Sequence, residues 1–440
     1  MGKLFEGVEV VRLAQGGDGL GYLPDGRVVF VEGAVPGDVV TVELFTDKER
    51  WARGGIKELQ ERSEARREPG CKAFVKGCGG CQFWHVDADR ELEWKVEAAR
   101  GSLSRLSGQD LPESEVVAAP SVHDYRTRVT FHQREQDGEV VCGFFKSGTR
   151  QVVSVERCPV ADPAIDEARQ ELVGVLGSLG AADITVETAG EGGAVVLIEL
   201  KQKGRIGKPK LEELSRLVEQ GLALRGVEIM SGDGEDYYIM GDTTVGVEEV
   251  LAYPPVSPMR VESGRFRQAN KAINRQMVDY VREVVAESWD QPRILELFSG
   301  SGNFSFPLAQ VAEALIGFES SEGAVETARQ IAEISEEVEH VRFRVSDLSE
   351  PPEVSNALSE AFEVLVLDPP RVGADEVARR LAAMERGGQV IYVSCDIGCL
   401  GRDIKTLAAG GWSLERLRFF DLFPRTSHLE AVAVLEKGLG

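Results

Sequence analysis

A cysteine closes an apolar strand pattern in the C-terminal part of this chain: Cys395, in Val390-Ile391-Tyr392-Val393-Ser394-Cys395-Asp396. Two carboxylates accompany it, Asp368 in Leu367-Asp368-Pro369-Pro370-Arg371 and Glu430 in His428-Leu429-Glu430. A thiol with a carboxylate suits substitution at a pyrimidine ring carbon. C5 of uracil is a weak nucleophile. A thiolate adding at C6 makes an enolate whose charge sits at C5, and that carbon can take a methyl group from a sulfonium. A base then removes the C5 proton and the thiolate leaves. The scheme requires an activated cysteine and a base beside it. An isolated buried cysteine is more often inert; the strand-end position and the polar neighbours Ser394 and Asp396 favour the nucleophile here. Taken alone, Glu430 reads as a solvated strand-end acid and Asp368 as a turn aspartate.

A methyl donor needs a site of its own. Gly300 and Gly302 follow the apolar run Leu295-Glu296-Leu297-Phe298, and Glu319 ends the next apolar strand, seventeen residues beyond Gly302. Glycines at a strand-to-helix turn let a ligand approach the backbone, and a strand-end acid accepts hydrogen bonds from ribose hydroxyls. The third glycine of a dinucleotide fingerprint is replaced by Ser305. That favours S-adenosylmethionine, which has no pyrophosphate to cradle, over NAD.

Cys71, Cys78 and Cys81 fall within eleven residues, and Cys158 precedes a proline far downstream. Four thiolates suit tetrahedral zinc or a [4Fe-4S] cluster. A zinc ribbon usually brings two Cys-x-x-Cys pairs and only one is present, which leans towards iron–sulfur, with His85 as an alternative zinc ligand. Cys142 and Cys399 have no partners at metal spacing and take no role.

The elements that must position these groups alternate along 440 residues, a length for two or three domains. Residues 1–60 read as a small β-barrel, with strands at Val8–Val11, Val28–Val31 and Val39–Val42 separated by Gly16-Gly17-Asp18-Gly19, Asp25-Gly26 and Pro36-Gly37-Asp38. Such barrels often bind nucleic acid; a spacer is the plainer alternative. Residues 61–255 read as α+β: a helix over Asp87–Leu106, strands over Tyr125–His132 and Val140–Phe145, a helix over Pro163–Leu179 capped by Asp162, a strand over Ala194–Leu200 and a helix over Lys210–Glu219. Residues 256–440 alternate helices (Asn270–Glu287, Ser321–Ile334) with strands (Arg293–Phe298, Ala314–Glu319, Val341–Val345, Val364–Asp368, Gln389–Cys395) and close on an antiparallel pair, Leu414–Asp421 with Leu429–Glu436. This is the pattern of a doubly wound sheet with an antiparallel edge. The fold class is multidomain α/β.

Charge argues in two directions. The formal net charge is -23, which opposes nucleic-acid binding taken as a sum, yet Lys48–Arg67, Lys201–Lys210 and Arg260–Arg275 are locally basic. Alternation would put Arg126 and Arg128 on one strand face, for RNA phosphates or for solvent. The 42% hydrophobic and 28% charged composition is that of a globular protein, and no apolar run reaches a signal peptide or a membrane span. The expectation is a cytoplasmic monomer that meets no membrane.

Together these residues resemble the RNA uracil-5 methyltransferase family, and most nearly its iron–sulfur branch acting on 23S ribosomal RNA to form 5-methyluridine. The resemblance spans nearly the whole chain. Residues 1–60 look like its TRAM domain, an RNA-binding barrel, and Cys78-Gly79-Gly80-Cys81-Gln82-Phe83-Trp84 with Cys71 and Cys158 looks like its [4Fe-4S] motif. Tyr125-Arg126-Thr127-Arg128 and Cys142-Gly143-Phe144-Phe145-Lys146 are similar to its central-domain strands. The resemblance implies Cys395 as nucleophile and Glu430 as the base that frees the product. It places Gln268, in Phe266-Arg267-Gln268-Ala269-Asn270, with Phe298, Asn303, Glu319 and Asp347 around S-adenosylmethionine, and Asp368 at the junction of cofactor and substrate. The target uridine is expected to flip out of its stack, at roughly a few kcal/mol. Departures from the family pattern are Asp396 for the usual Asn, Ser299 for a common Cys and Cys399 for a frequent Thr. Asp396 would raise the thiol pKa unless it is paired. Transfer RNA is the alternative substrate. An adenine amino-methyltransferase (from Asp368-Pro369-Pro370, but with Arg371 where an aromatic is needed) and a non-catalytic RNA-binding iron–sulfur protein are the alternative classes.

Overall fold

The computed structural model describes residues 2–190, 192–203, 205–221, 223–246, 260–262, 267–334 and 336–438. The sequence-based boundary at 255/256, and Arg265 and Phe266, lie outside them. The chain divides into two compact units, one made of Met1–Gly70, Cys81–Ala119 and Ser349–Gly440, the other of Cys71–Gly80 and Pro120–Leu348.

In the first unit, five strands (Leu4–Leu13, Gly19–Tyr22, Val28–Glu32, Val39–Asp47, Trp51–Glu61) close a barrel, Val28–Glu32 pairing in parallel with Trp51–Glu61. Alternation explains its core: Val8 and Val10, Val29 and Val31, Val40 and Val42 all point inward. Asp38, wholly buried, is its polar hub. Its carboxylate accepts from the backbone of Val35 (2.7 Å) and Ser63 (3.0 Å) and from the Arg66 guanidinium (2.7 Å). A buried charge so fully partnered fixes how the chain leaves the barrel. The helix Ala88–Ser107 follows, capped by Asp87 and ended by left-handed Gly108. It lies against the helix Ile397–Ala409. The contact depends on Gly401, where a Cβ would come within 2.7 Å of Leu106 Cβ. The unit's remaining strands are Val364–Leu367, parallel to Gly388–Ser394, then antiparallel Glu430–Lys437 and Ser413–Phe420, with Ser114–Val117 parallel to the last. Val390 to Val393 and Ala431 to Leu435 have no exposed surface; continuous apolar runs are what a strand covered on both faces requires.

The second unit holds a seven-stranded sheet with Tyr237–Gly241 and Val152–Ser154 at its edges, built around Ala182–Thr188 and Ala194–Leu200. The helices Pro163–Leu176 and Lys208–Gln220 pack on it. Its other part is the helix Lys271–Ser288 with three parallel strands, Arg293–Leu297, Ala314–Glu319 and Val341–Val345.

The strand expected from Tyr125 starts at Arg128, and the helix expected to Leu179 ends at Leu176 in a 3-10 turn. Arg126 therefore precedes the strand, and Arg128, whose side chain is 27% exposed, pairs its guanidinium at 2.9 Å with Glu187, 2% exposed. Several cations of the basic stretches have acidic partners. Arg53 meets Asp18 (2.8 Å), Lys57 meets Glu43 (3.1 Å), Lys201 meets Asp183 (2.5 Å) and Arg205 meets Asp236 (3.4 Å). Among the described residues, no helix is long and apolar enough to cross a membrane.

Candidate active site

Three strand ends of the first unit carry the chemistry. Val364–Leu367 runs parallel to Gly388–Ser394 and delivers Asp368 and, after two prolines, Arg371. Gly388–Ser394 delivers Cys395. Its antiparallel partner starts at Glu430, with Ser394 opposite Ala431, so the thiol and the buried Glu430 carboxyl are at the same end of one ladder. Charge and burial at this end shift the thiol and both carboxyls. The Cys395 thiol is pushed up to about 11 by burial and by Glu430 and Asp368, against the pull of Arg371. Glu430 is pushed up to about 8 by burial and Asp368, again opposed by Arg371, and burial alone lifts Asp368 to about 7. These are the perturbations expected where a nucleophile and a base share a desolvated site.

Arg371 is the site residue the sequence reading passed over, although a cation directly after Asp368-Pro369-Pro370 was a legible signal. Its loop is held from below. Buried Tyr392 and Asp403 share a 2.7 Å hydrogen bond, and the backbone N–H of Ala374 donates to both. Cys399 Sγ donates to the Arg371 carbonyl at 3.3 Å and Arg402 to that of Val372 at 3.1 Å. Cys399, given no role from spacing, is thus part of this support. Asp396 does not burden the thiol as its charge suggested. It caps the helix Ile397–Ala409, accepting from Cys399 N at 2.8 Å, and the larger influences on Cys395 are burial, Glu430, Arg371 and Asp368.

A test follows from the coupled charges. Alkylation of Cys395 by iodoacetamide, mapped by mass spectrometry, should rise about tenfold per pH unit from 7 to 10. Glu430→Gln should accelerate it above pH 8, where the wild-type carboxylate is charged, and change it little below. A flat profile would show that the thiol is not held in its neutral form.

In the second unit, the residues expected around a cofactor converge on the carboxyl ends of its three parallel strands. Phe298 ends the first with φ +66°, an uncommon backbone for an aromatic residue, and Gly300 (+54°) and Gly302 (+97°) continue the reversed turn. Glu319 ends the second and braces this turn: one carboxylate oxygen accepts from Gly300 N (3.1 Å), the other from Ser321 N (2.8 Å). Asp347 is exposed just beyond the third strand, whose Val345 pairs with Glu319. Asn303 exchanges paired amide hydrogen bonds with Asn274 (2.9 and 3.1 Å), tying the turn to the helix Lys271–Ser288. Gln268 is half-buried at that helix's entrance, where Ala269 O accepts from Thr127 N at 2.9 Å. The second unit does not contain Asp368, which the structure groups with Cys395 and Glu430.

Of the four cysteines expected to hold metal, Cys71, Cys78 and Cys158 belong to the second unit and Cys81 to the first. Burial raises Cys78, and it raises Cys158 to about 11; Cys71 adds to both, so the three lie within electrostatic reach. Backbone N–H groups of Val160 and Ala161 donate to the Cys158 sulfur and that of Gly80 to Cys78, the arrangement that stabilises metal-bound thiolates. Among the described residues, however, no three His, Cys, Asp or Glu side chains stand at metal-holding geometry, so the expected iron–sulfur centre is not shown. Among the described residues His85 joins no group of three possible metal ligands. Burial and Arg66 hold its ring down at about 4, beside the Asp38 hub of the barrel.

A family model described as tRNA (Uracil-5-)-methyltransferase matches residues 88–438, and a TRAM domain model matches residues 6–57. The 23S rRNA (uracil(1939)-C(5))-methyltransferase RlmD of Vibrio parahaemolyticus is 29% identical, with 98% of this chain and 96% of the relative covered. The enzyme of the same name from Pectobacterium carotovorum is 30% identical, covering 93% and 89%. The crystal structure of Pyrococcus abyssi tRNA (uracil-54, C5)-methyltransferase with S-adenosyl-L-homocysteine superposes with a TM-score of 0.71 at 23% identity, over 97% of this chain and 100% of that one. The fold is therefore shared.

Proposed function

The chain belongs to the tRNA (uracil-5-)-methyltransferase family, and from that premise we propose that it methylates C5 of a uridine in ribosomal RNA through a covalent Cys395–C6 adduct. The observation that carries this reading is the grouping of Cys395, Glu430, Asp368 and Arg371 at adjoining strand ends, where burial and neighbouring charge raise the thiol and both carboxyls. Relatives named for 23S rRNA support ribosomal RNA. A second reading, transfer RNA, draws on the fold shared with the Pyrococcus enzyme. Residues 1–60 serve as the RNA-binding barrel, 61–255 as the central domain and 256–440 as the methyltransferase domain, in a cytoplasmic monomer.

Gln268, Phe298, Gly300, Gly302, Asn303, Glu319 and Asp347 would hold S-adenosylmethionine, with Asp368 at the substrate junction. When bound, the cofactor supplies an electrophilic methyl group on a sulfonium. The Cys395 thiolate adds to C6 of the flipped base, forming an S–C6 bond and an enolate. C5 takes the methyl as the donor's S–CH3 bond breaks. Glu430, as carboxylate, takes the C5 proton; the enolate re-forms and the C6–S bond breaks, returning the thiolate. Arg371 opposes the negative charge gathered there and favours the ionised thiol. Cys71, Cys78, Cys81 and Cys158 would hold a [4Fe-4S] cluster. Four thiolate donors are the chemistry such a cluster takes, although the described residues do not stand at metal-holding geometry, and it enters no step of the reaction.

The decisive experiment is incubation with 5-fluorouridine RNA and S-adenosylmethionine. Fluorine cannot leave as a proton does, so a conjugate stable to denaturation should map to Cys395, and the attached fragment identifies the RNA. Methylation of adenine amino groups, or RNA binding with no methyl incorporation, would overturn the reading.

A further inference from the structure

The base strand begins only after a loop, Leu422–Leu429, which joins Ser413–Phe420 to Glu430–Lys437. This loop is unusually constrained. Arg425 is 9% exposed and sits at φ +68°, a left-handed backbone that a non-glycine residue keeps only where its surroundings over-determine it. They do. Its backbone N–H donates to Glu91 Oε1 at 2.7 Å, and its guanidinium reaches Glu91 Oε2 at 3.2 Å and the Val86 carbonyl at 2.8 Å. Its carbonyl accepts from the backbone N–H groups of Gln82 (2.8 Å) and Phe83 (3.1 Å), and the Gln82 side chain accepts from Ser427 N at 3.1 Å. Lys95, one helical turn from Glu91, holds the loop's start through Asp421 at 2.6 Å.

The anchors of Arg425 and Ser427 on the approach to Glu430 come from one short stretch, Gln82–Val86, and from Glu91 on the helix after it, while the Val117 carbonyl holds Asp421 N at 2.9 Å. A base works only where its carboxylate is held to within about half an ångström of the proton it takes, and a satisfied buried polar network is a stiff way to hold it. Gln82 directly follows Cys81, the cysteine proposed as a cluster ligand.

Resting on the reaction proposed above, we infer that Arg425 is a positioning residue for Glu430, and that the order of the segment beginning at Cys81 governs the proton-removal half of the reaction rather than methyl transfer. The segment that follows Cys81 and the loop that carries the catalytic base are then linked through two backbone hydrogen bonds and one side-chain bond, with no electron transfer involved.

The test separates the two half-reactions in the full-length protein under single turnover, with uridine RNA and methyl-labelled S-adenosylmethionine. In Arg425→Ala, methyl transfer to RNA should slow less than tenfold, while release of free methylated RNA slows on the order of a hundredfold, leaving a methylated protein–RNA conjugate at Cys395. Arg425→Lys should restore part of the release rate. Gln82→Ala should shift the same ratio in the same direction by a smaller factor. A role in folding alone would lower both steps together; equal slowing, or no change in their ratio, would overturn the inference. If Arg425→Ala does not fold, Gln82→Ala and Glu91→Gln decide on the same criterion. A readout independent of activity is hydrogen exchange: Cys81→Ser should accelerate exchange over residues 423–429 and leave the barrel strands protected, and unchanged loop protection would remove the link to the cysteine site. Failure of the wild type to form the 5-fluorouridine conjugate would count against the reaction itself, whatever Arg425 does.

Discussion

Cys395→Ala should abolish methyl incorporation, by about four orders of magnitude or more, while RNA and cofactor binding stay near the wild-type level. Without the S–C6 bond, no enolate forms and C5 stays a weak nucleophile. The partner experiment distinguishes the two halves of the cycle. Glu430→Gln should still add its thiol and accept one methyl, then stall, giving up to one methylated conjugate per enzyme and multiple turnover reduced by about 10²–10⁴. The pair of outcomes is diagnostic. If Cys395→Ala retains methylation, the thiol has no covalent role; if Glu430→Gln releases product normally, another group takes the C5 proton.

The same Glu430 should be a liability for stability, in a pH window that can be worked out. Its folded-state pKa, about 8, lies above the usual 4.5 of a glutamate. Between these values the folded protein holds a proton that the unfolded chain has lost, so stability falls as pH rises through the window. Below about pH 4.5 the penalty is absent; above pH 8 it is fully expressed, on the order of a few kcal/mol for a carboxyl so buried. Glu430→Gln removes the charge and keeps the shape. The variant should match the wild type in urea unfolding at pH 5 and exceed it by about 2–4 kcal/mol at pH 9. An equal stability difference at both pH values would mean that the carboxyl is not ionising in the folded site. The protein thus keeps at its centre a residue that weakens it, as expected where a base must be desolvated.

How far the sequence carried depended on periodicity and on charge. Strands covered on both faces, such as Gly388–Ser394 and Glu430–Lys437, declare themselves as unbroken apolar runs, and their ends located Cys395 and Glu430. Trp51–Glu61 does not. Seven of its residues are charged, polar or glycine, so it read as a basic stretch, although it pairs with two neighbours to close the barrel. Gly19–Tyr22 and Ser114–Val117 were too short to show a period. The support of the site was illegible for a different reason. Glu91, Lys95 and Arg425 are charged residues that sequence alone assigns to solvent, and only tertiary structure supplies the partners that make their burial tolerable. A sequence gives the charge of Asp396 but not its direction; the backbone turns its side chain towards the helix it caps.

The first unit is assembled from three separated stretches of chain, and this sets an order on how the protein can be made. Lys95 and Glu91 find Asp421 and Arg425 at sequence separations of 326 and 334 residues. Ser114–Val117 is an edge strand whose neighbour, Ser413–Phe420, is synthesised about three hundred residues later. On the ribosome, the barrel can close early from local hairpins and take Trp94 and Ala98 of the helix Ala88–Ser107 against Leu13 and Val35, while the charged Glu91 and Lys95 and the side that meets Ile397–Ala409 must wait. Long-range closure of this kind is slow and leaves sticky surface exposed in the interval. The nascent chain therefore has no catalytic centre until its last strands emerge, and that long wait is where a chaperone would have the most to shield.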